Sequence, residues 1–402
     1  MTRLTLHIDS FAHGGLGVAR DAGRVVFVAD AIPGETVIAE VIEEKNSFAR
    51  AVAVDVCEAS PDRVAHIWPE AGIERSPERR AGGADLGFVR LERQRALKAE
   101  VIRDALRRFA AHHDSDPVVV EAVEPSVQWR SRVSLHVNAD GVPGPRAARS
   151  HEVVPVSSHP LAAAAIAASN PWDLRVPGAE RIDLLATSAG DQRTLIRRPR
   201  EQSDHRASVR EFVHGREFRV AEEGFWQVHI AAAETLQSAV AQALRAELLH
   251  PDAEQMDLYG GVGLLSIPLL DAVGSKGKVV TVESAARATE LARENLGEYA
   301  GARAVTARVE QFLRRTTIDA GASVVLDPPR AGAGREVVQR LASSAASQVV
   351  YVACDPVAFA RDLGTFTAAG WELEHLRAFD LFPHTHHLEL VARLVPSEQA
   401  RD

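Results

Sequence analysis

From Gly224 onward the chain repeats one rhythm, a short apolar run and then a helical stretch, and few folds accept that rhythm. The runs at residues 255–258, 278–282, 322–326 and 348–352 are rich in Val and Leu and too short for buried helices, so they read as strands. Amphipathic stretches such as 285–296 and 334–342 separate them, and a longer helix is predicted over 230–249. Repeated βα units predict an α/β fold with a parallel, doubly wound, Rossmann-like sheet. The last two runs, near 373–379 and 387–394, are close enough in sequence to form an antiparallel edge pair. In such sheets ligands bind beyond the carboxyl ends of the strands, so the residues after each run carry the functional signal.

Five such segments stand out. Asp257-Leu-Tyr-Gly-Gly-Val-Gly263 puts glycines directly after a strand, where backbone can approach a ligand closely. The third glycine of a dinucleotide fingerprint would fall at Ser266, so a nicotinamide reading fits poorly. Glu283 ends its strand about 20 residues past the glycine turn, where an acidic side chain can bind both hydroxyls of a ribose. Asp327-Pro-Pro-Arg330 leaves its strand through a rigid exit with two missing amide donors. Cys354-Asp355-Pro356 follows the fourth strand. Asp355 is a good N-cap and Pro356 a good first helical residue, so Cys354 should sit just ahead of a helix N-terminus, whose partial charge favours the thiolate. The fifth, Phe382-Pro-His-Thr-His-His-Leu-Glu389, invites a metal reading. The adjacent His386 and His387 would face opposite sides of a strand, however, and Glu389 is better placed as a general base. Each segment also has a plain structural explanation: packing glycines, a surface glutamate, a strand stop, an inert buried cysteine.

The first 220 residues differ in texture. Residues 1–58 alternate short strands with glycine turns and predict a small β-barrel. Residues 59–220 read as a central, mostly β domain, with strands near 132–137, 181–186 and 193–197 and a small-residue helix over 161–169. Residues 91–109 form a strong amphipathic helix, rich in arginine, that is expected to pack on the third domain, residues 221–402. Its basic face reads either as a solvated surface or as an RNA contact. The chain has 402 residues and a formal net charge of -9, so any contact with a polyanion must come from local basic faces. Its two cysteines, Cys57 and Cys354, form no disulfide framework and are too few to hold an iron–sulfur cluster or a cysteine-ligated zinc. With no signal-peptide core and no run of ~20 apolar residues, the expected location is cytoplasmic.

Together and in order, these segments resemble the RNA uracil-5-methyltransferase family that uses S-adenosylmethionine, over nearly the whole chain. The N-terminal barrel resembles a TRAM domain, an oligonucleotide-binding type of module. Trp129-Arg-Ser-Arg132 and Ser150-His-Glu-Val-Val-Pro-Val156 resemble the family's central domain, and Gly224-Phe-Trp-Gln-Val-His229 its cofactor-contacting segment. The resemblance implies cofactor contacts from Gln227, Tyr259, Gly261, Gly263, Glu283 and Asp327. It implies Cys354 as the nucleophile and Glu389 as the base. The partner it implies is RNA, ribosomal or transfer, with a flipped or single-stranded uridine. The chain also departs from the family. Members often carry a four-cysteine iron–sulfur site, but residues 66–87 hold no cysteine and His159 stands where another would be expected, so no cluster is expected here. Gly260 replaces a usual Cys, and Asp355 replaces a usual Asn, which sets a negative charge beside Cys354 and opposes its ionisation. Three other readings fit parts of the pattern: a non-catalytic RNA-binding protein, a nicotinamide-dependent oxidoreductase, and a methyltransferase acting on another base or an exocyclic amine.

Overall fold

The computed structural model describes residues 2–111, 118–148, 150–200 and 206–397. At the N-terminus, β1 (Arg3–His7), β2 (Ser10–Ala12), β3 (Leu16–Asp21), β4 (Arg24–Ala29), β5 (Thr36–Glu44) and β6 (Phe48–Glu58) form one sheet in the order β1-β5-β6-β4-β3-β2. It curls around a core of small and branched side chains, among them Ile8, Ala19, Val28, Val37 and Ala51. Then come α1 (Leu91–Phe109) and the short strand β7 (Val120–Ala122). A four-stranded sheet follows, built from β8 (Arg132–Val137), β9 (Pro143–Gly144), β10 (Arg181–Ala186) and β11 (Gln192–Arg197), with α2 (Ala164–Ala168) inserted before β10. β12 (Ser208–Val213) and β13 (Arg216–Ala221) make a separate hairpin.

The C-terminal half alternates as the sequence predicts. Its elements are α3 (Ala232–Ala243), β14 (Glu254–Leu258), α4 (Ser266–Val273), β15 (Lys278–Glu283), α5 (Ala286–Asn295), β16 (Ala302–Thr306), α6 (Val309–Arg315), β17 (Ser323–Leu326), α7 (Arg335–Ala342), β18 (Gln348–Ala353), α8 (Pro356–Ala368), β19 (Trp371–Asp380) and β20 (Glu389–Pro396). The sheet order is β16-β15-β14-β17-β18-β20-β19-β7. Strand alternation divides its side chains between two cores. Val280, Val324, Val349 and Tyr351 face α1, α6, α7 and α8, while Val279, Val325, Val350 and Val352 face α3, α4 and α5. The helix read over 230–249 is shorter, because the chain leaves α3 at Leu244 in an extended conformation and adds only a turn of 3-10 helix over Ala246–Leu248. The antiparallel pair β19–β20 is present, but β7 adds in parallel beyond it, so the pair is not the sheet's outermost part.

The apolar stripe of α1 joins the C-terminal core through Ala99, Ile102, Ala105 and Leu106. Four of its arginines are tied to nearby carboxylates: Arg95 to Glu92, Arg93 to Glu100, and Arg107 and Arg108 to Asp104. This is the pattern of a solvated, internally paired helix face, not of a free basic stripe. Two buried residues of α1 reach the segment before β20. Lys98 Nζ meets Asp380 Oδ1 at 2.5 Å and donates to the Phe382 carbonyl at 3.2 Å. Gln94 accepts from the His384 amide at 2.7 Å while its amide nitrogen donates to the Leu86 and Val89 carbonyls. Between barrel and core, the ring of Trp68 lies 4.6 Å from that of His159, which also packs on Trp172 at 6.1 Å. Burial pushes the His159 imidazole down to about 3, so it serves there as a neutral aromatic.

Beneath the glycine turn, Ser266 Oγ donates to Asp257 Oδ2 at 2.5 Å and lies 2.6 Å from Thr281 Oγ1, with all three residues fully buried. Gly260 fits this network, since a Cβ there would come within 2.4 Å of Thr281 Cγ2 and 2.6 Å of Asp257 Oδ2. Burial, reinforced by the charges of Asp327 and Glu283, raises the Asp257 carboxyl to about 7.

Two predictions follow from this packing. Lys98→Ala should cost about 3–5 kcal/mol in denaturant unfolding, because it strands a buried carboxylate, whereas Lys98→Met combined with Asp380→Leu should recover most of that loss. The folded state holds the Asp257 proton more tightly than the unfolded chain, so this residue's contribution to stability is full below the ordinary carboxylate range and is lost as pH rises towards about 7. Asp257→Asn should therefore raise Tm at mildly alkaline pH relative to the parent and flatten the decline; an unchanged pH profile would show that the carboxyl titrates normally.

Candidate active site

The carboxyl ends of β14, β15, β17 and β18 open into one cleft of about 850 Å³. The turn after β14 begins with Tyr259 at φ 62° and continues through Gly261 at φ 54°, which bends the chain sharply away from the sheet and opens the cleft floor. Glu283 closes β15 and is fixed there: its carboxylate accepts from the Gly261 amide at 3.2 Å and from the Ala285 amide at 2.7 Å. Asp327 follows β17, ahead of Pro328 and Pro329, and lines the same cleft. Burial pushes its carboxyl up to about 7.

Cys354 follows β18 and Glu389 begins β20. These strands pair antiparallel with Ala353 opposite Leu390, so the register carried one residue further sets Cys354 opposite Glu389. Both line the cleft. Glu389 is 5 % exposed, and its Oε2 is buried without a hydrogen-bond partner. Burial and the Asp327 charge raise its carboxyl well above the usual range, against the opposing pull of Arg330.

Asp355 caps α8 as the sequence indicates, its Oδ1 accepting from the Val357 and Ala358 amides at 3.0 and 2.8 Å. The expected thiolate does not follow. Burial, then the charges of Glu389 and Asp327, push the Cys354 thiol up to about 12, and Asp355 adds to the effect. The helix terminus is already capped by a carboxylate, and three acidic side chains outweigh what remains of its field.

Gln227, Tyr259, Gly261, Glu283 and Asp327 therefore share one cleft with Cys354 and Glu389. Gly263 does not line it. At φ 90° it lies against Leu296, where a Cβ would sit 3.1 Å from that side chain, so its role is packing of the turn on the chain beyond α5. Sequence reasoning assigned no role to Arg130, Phe225, Arg330 or His387, which also line the cleft. Phe225 is 76 % exposed, unusual for a large aromatic. Arg132 holds its neighbourhood by donating to the Glu222 and Gly224 carbonyls at 3.0 and 3.1 Å. The three histidines before Glu389 part company: His384 Nδ1 lies 3.2 Å from Gln94, His386 bonds Asp85 at 2.7 Å, and His387 faces the cleft. Among the described residues no group of His, Cys, Asp and Glu is arranged to hold a metal ion, and no helix is long and apolar enough to cross a membrane.

The cleft fits S-adenosylmethionine on its own chemistry. It offers a fixed carboxylate for a ribose at Glu283, a glycine floor for close approach, and partnerless carboxylate oxygen at Glu389, suited to a cationic guest.

Comparison with known proteins agrees with this geometry. Residues 209–395 match the tRNA (uracil-5-)-methyltransferase family and residues 2–54 match the TRAM domain. An uncharacterised RNA methyltransferase of Streptomyces avermitilis is 40% identical, with 98% of each chain covered. A second, from Streptomyces coelicolor, is 39% identical over 98% of this chain and 92% of its own. In fold, the chain is similar to the Pyrococcus abyssi tRNA (uracil-54, C5)-methyltransferase, solved with S-adenosyl-L-homocysteine, at a TM-score of 0.72 and 21% identity, covering 98% of this chain and 100% of that one. With a TRAM barrel in front of a Rossmann-like domain, and close relatives that are RNA methyltransferases along their whole length, the chain belongs to the RNA uracil-5-methyltransferase family.

Proposed function

We propose that this enzyme moves a methyl group from S-adenosylmethionine to carbon 5 of a uridine in ribosomal or transfer RNA, through a covalent bond between Cys354 and carbon 6. The observation that carries the reading is the meeting of Cys354 and Glu389 across the β18–β20 ladder, in the cleft that also holds Glu283 and Asp327. When bound, S-adenosylmethionine supplies a methyl group on a positively charged sulfonium.

The chemistry asks three things of the chain. Carbon 5 of uracil is a weak nucleophile, and addition of the Cys354 sulfur at carbon 6, its thiol proton passing to solvent, makes carbon 5 electron-rich. After carbon 5 gains its methyl it still carries a hydrogen. Glu389 removes that proton, the C5–C6 double bond re-forms, and the sulfur leaves carbon 6. A carboxyl raised by burial is a stronger proton acceptor, once ionised, than an ordinary carboxylate. Positive charge must also offset the three carboxylates around Cys354. Arg330 already pulls in that direction, and a cationic methyl donor adds to it. Last, the uracil must leave its stack to reach the cleft, so the target is a flipped or unpaired nucleotide.

Cys354→Ala should reduce methyl transfer more than about a thousandfold, while RNA retention on gels persists; turnover near the parent's would exclude the nucleophile role. Glu389→Gln should accumulate an enzyme–RNA species that survives denaturing electrophoresis, and free product formed at the parent rate would remove Glu389 as the base. Mass spectrometry of nucleosides from ribosomal and transfer RNA, with and without the protein in the cell, identifies the target: loss of 5-methyluridine from one class supports the reading, and loss of a different methylated base overturns it.

A further inference from the structure

The hairpin tip between β2 and β3 of the N-terminal barrel reaches the reaction centre. His13 Nε2 lies 3.1 Å from Asp355 Oδ2, the oxygen of Asp355 that the α8 amides do not use. Beside it, Gly15 is pressed so close that a Cβ would come within 2.6 Å of Asp85 Oδ2 and 3.1 Å of His386 Cβ. The His13 ring also meets the His386 ring edge-on at 6.4 Å, and His386 is held by Asp85. The tip is thus wedged between the residue that follows the nucleophile and the segment that leads to the base.

We propose that His13 is a positioning residue of the catalytic centre: it pairs the Asp355 carboxylate across the domain boundary and so withholds that negative charge from the Cys354 sulfur. The charged groups that face Cys354 are Asp327, Arg330, Asp355 and Glu389, and those that face His13 are Asp355 and His386, with Asp85 behind. Burial of Asp355 works against its ionisation, but the bonds to His13 and to the helix amides outweigh that and hold its carboxyl below the usual range. Asp355 is therefore charged when the thiolate must form, and His13 is the side chain that pairs its second oxygen. His13 is 45 % exposed, so solvent screens the pair and the effect is modest.

The inference rests on the reading of Cys354 as nucleophile, and its test separates the two. In a Cys57→Ser background, alkylation of Cys354 by iodoacetamide at mildly alkaline pH tracks the thiolate fraction whether or not the thiol is catalytic. His13→Ala should slow alkylation about threefold, the equivalent of a half-unit rise in the thiol's pKa, and should slow methyl transfer to RNA from cells lacking the protein by a similar factor without changing KM. In an Asp355→Asn background, the same His13 substitution should have no effect on either rate. If His13→Ala does not fold, His13→Phe serves in both backgrounds, since it keeps a ring and removes the hydrogen bond to Asp355. Unchanged alkylation on substituting His13 overturns the proposal. So does an equal loss with Asn at position 355, which would mean that the hairpin tip acts only by packing. A shift in alkylation with no change in methyl transfer would leave the electrostatic coupling standing and refute Cys354 as the nucleophile.

Discussion

The antiparallel pairing of β20 with β18 is the constraint on which the rest depends. Its register sets Cys354 opposite Glu389 at the end of the ladder, and because side chains alternate along a strand, a slip of one residue would turn Glu389 away. The register is held from both sides. On the sheet itself, Val350, Val352 and Val391 pack into one core while Tyr351, Leu390 and Ala392 pack into the other, so no shift keeps both cores filled. Beyond the sheet, Gln94 and Lys98 of α1 grip the backbone just ahead of Glu389. A helix far away in sequence therefore sets the position of Glu389.

Electrostatics then gives the cleft its character. Asp327, Glu389 and the Cys354 thiol compete for protons in one buried space, and each is pushed towards its neutral form. Such a site is poorly reactive when empty of positive charge and becomes competent when positive charge enters. The Cys354 thiol is thereby held in its neutral form, which limits side reactions of an accessible thiol. Helix polarity contributes less than sequence position suggests, because Asp355 spends its first oxygen on the α8 amides.

Much of this was legible in the chain. The βα rhythm, the barrel and the strand ends that carry Tyr259, Glu283, Asp327 and Cys354 all follow from periodicity and turn chemistry, which are local properties. What escaped is non-local. Gly263 looks like a ligand contact by spacing, yet it faces Leu296, a neighbour that only the fold supplies. The basic face of α1 leaves a solvated surface and an RNA contact equally open in sequence, and the pairing of four of its arginines with Glu92, Glu100 and Asp104 is seen only in three dimensions. The edge strand β16, Ala302–Thr306, is half-exposed and short, with one arginine, two alanines and a single valine rather than an apolar run, so no strand signal marks it. The high pKa of Cys354 depends on Glu389 and Asp327, which are distant in sequence and adjacent only in the cleft.

The short strand β7 has a consequence of another kind. Three residues, Val120–Ala122, pair with the last three residues of β19, Ala378–Asp380, at the edge of the large sheet, and Arg377 of β19 clasps Glu121 through two of its guanidinium nitrogens at 2.7 and 2.8 Å. An uncovered strand of ten residues is a template on which a second chain can add, and sheets of this kind aggregate from such margins. The short strand between α1 and β8 thus doubles as a plug for that end of β19. Separating the catalytic half from what precedes it would unplug that margin, making colloidal solubility a property of the whole chain rather than of the methyltransferase domain.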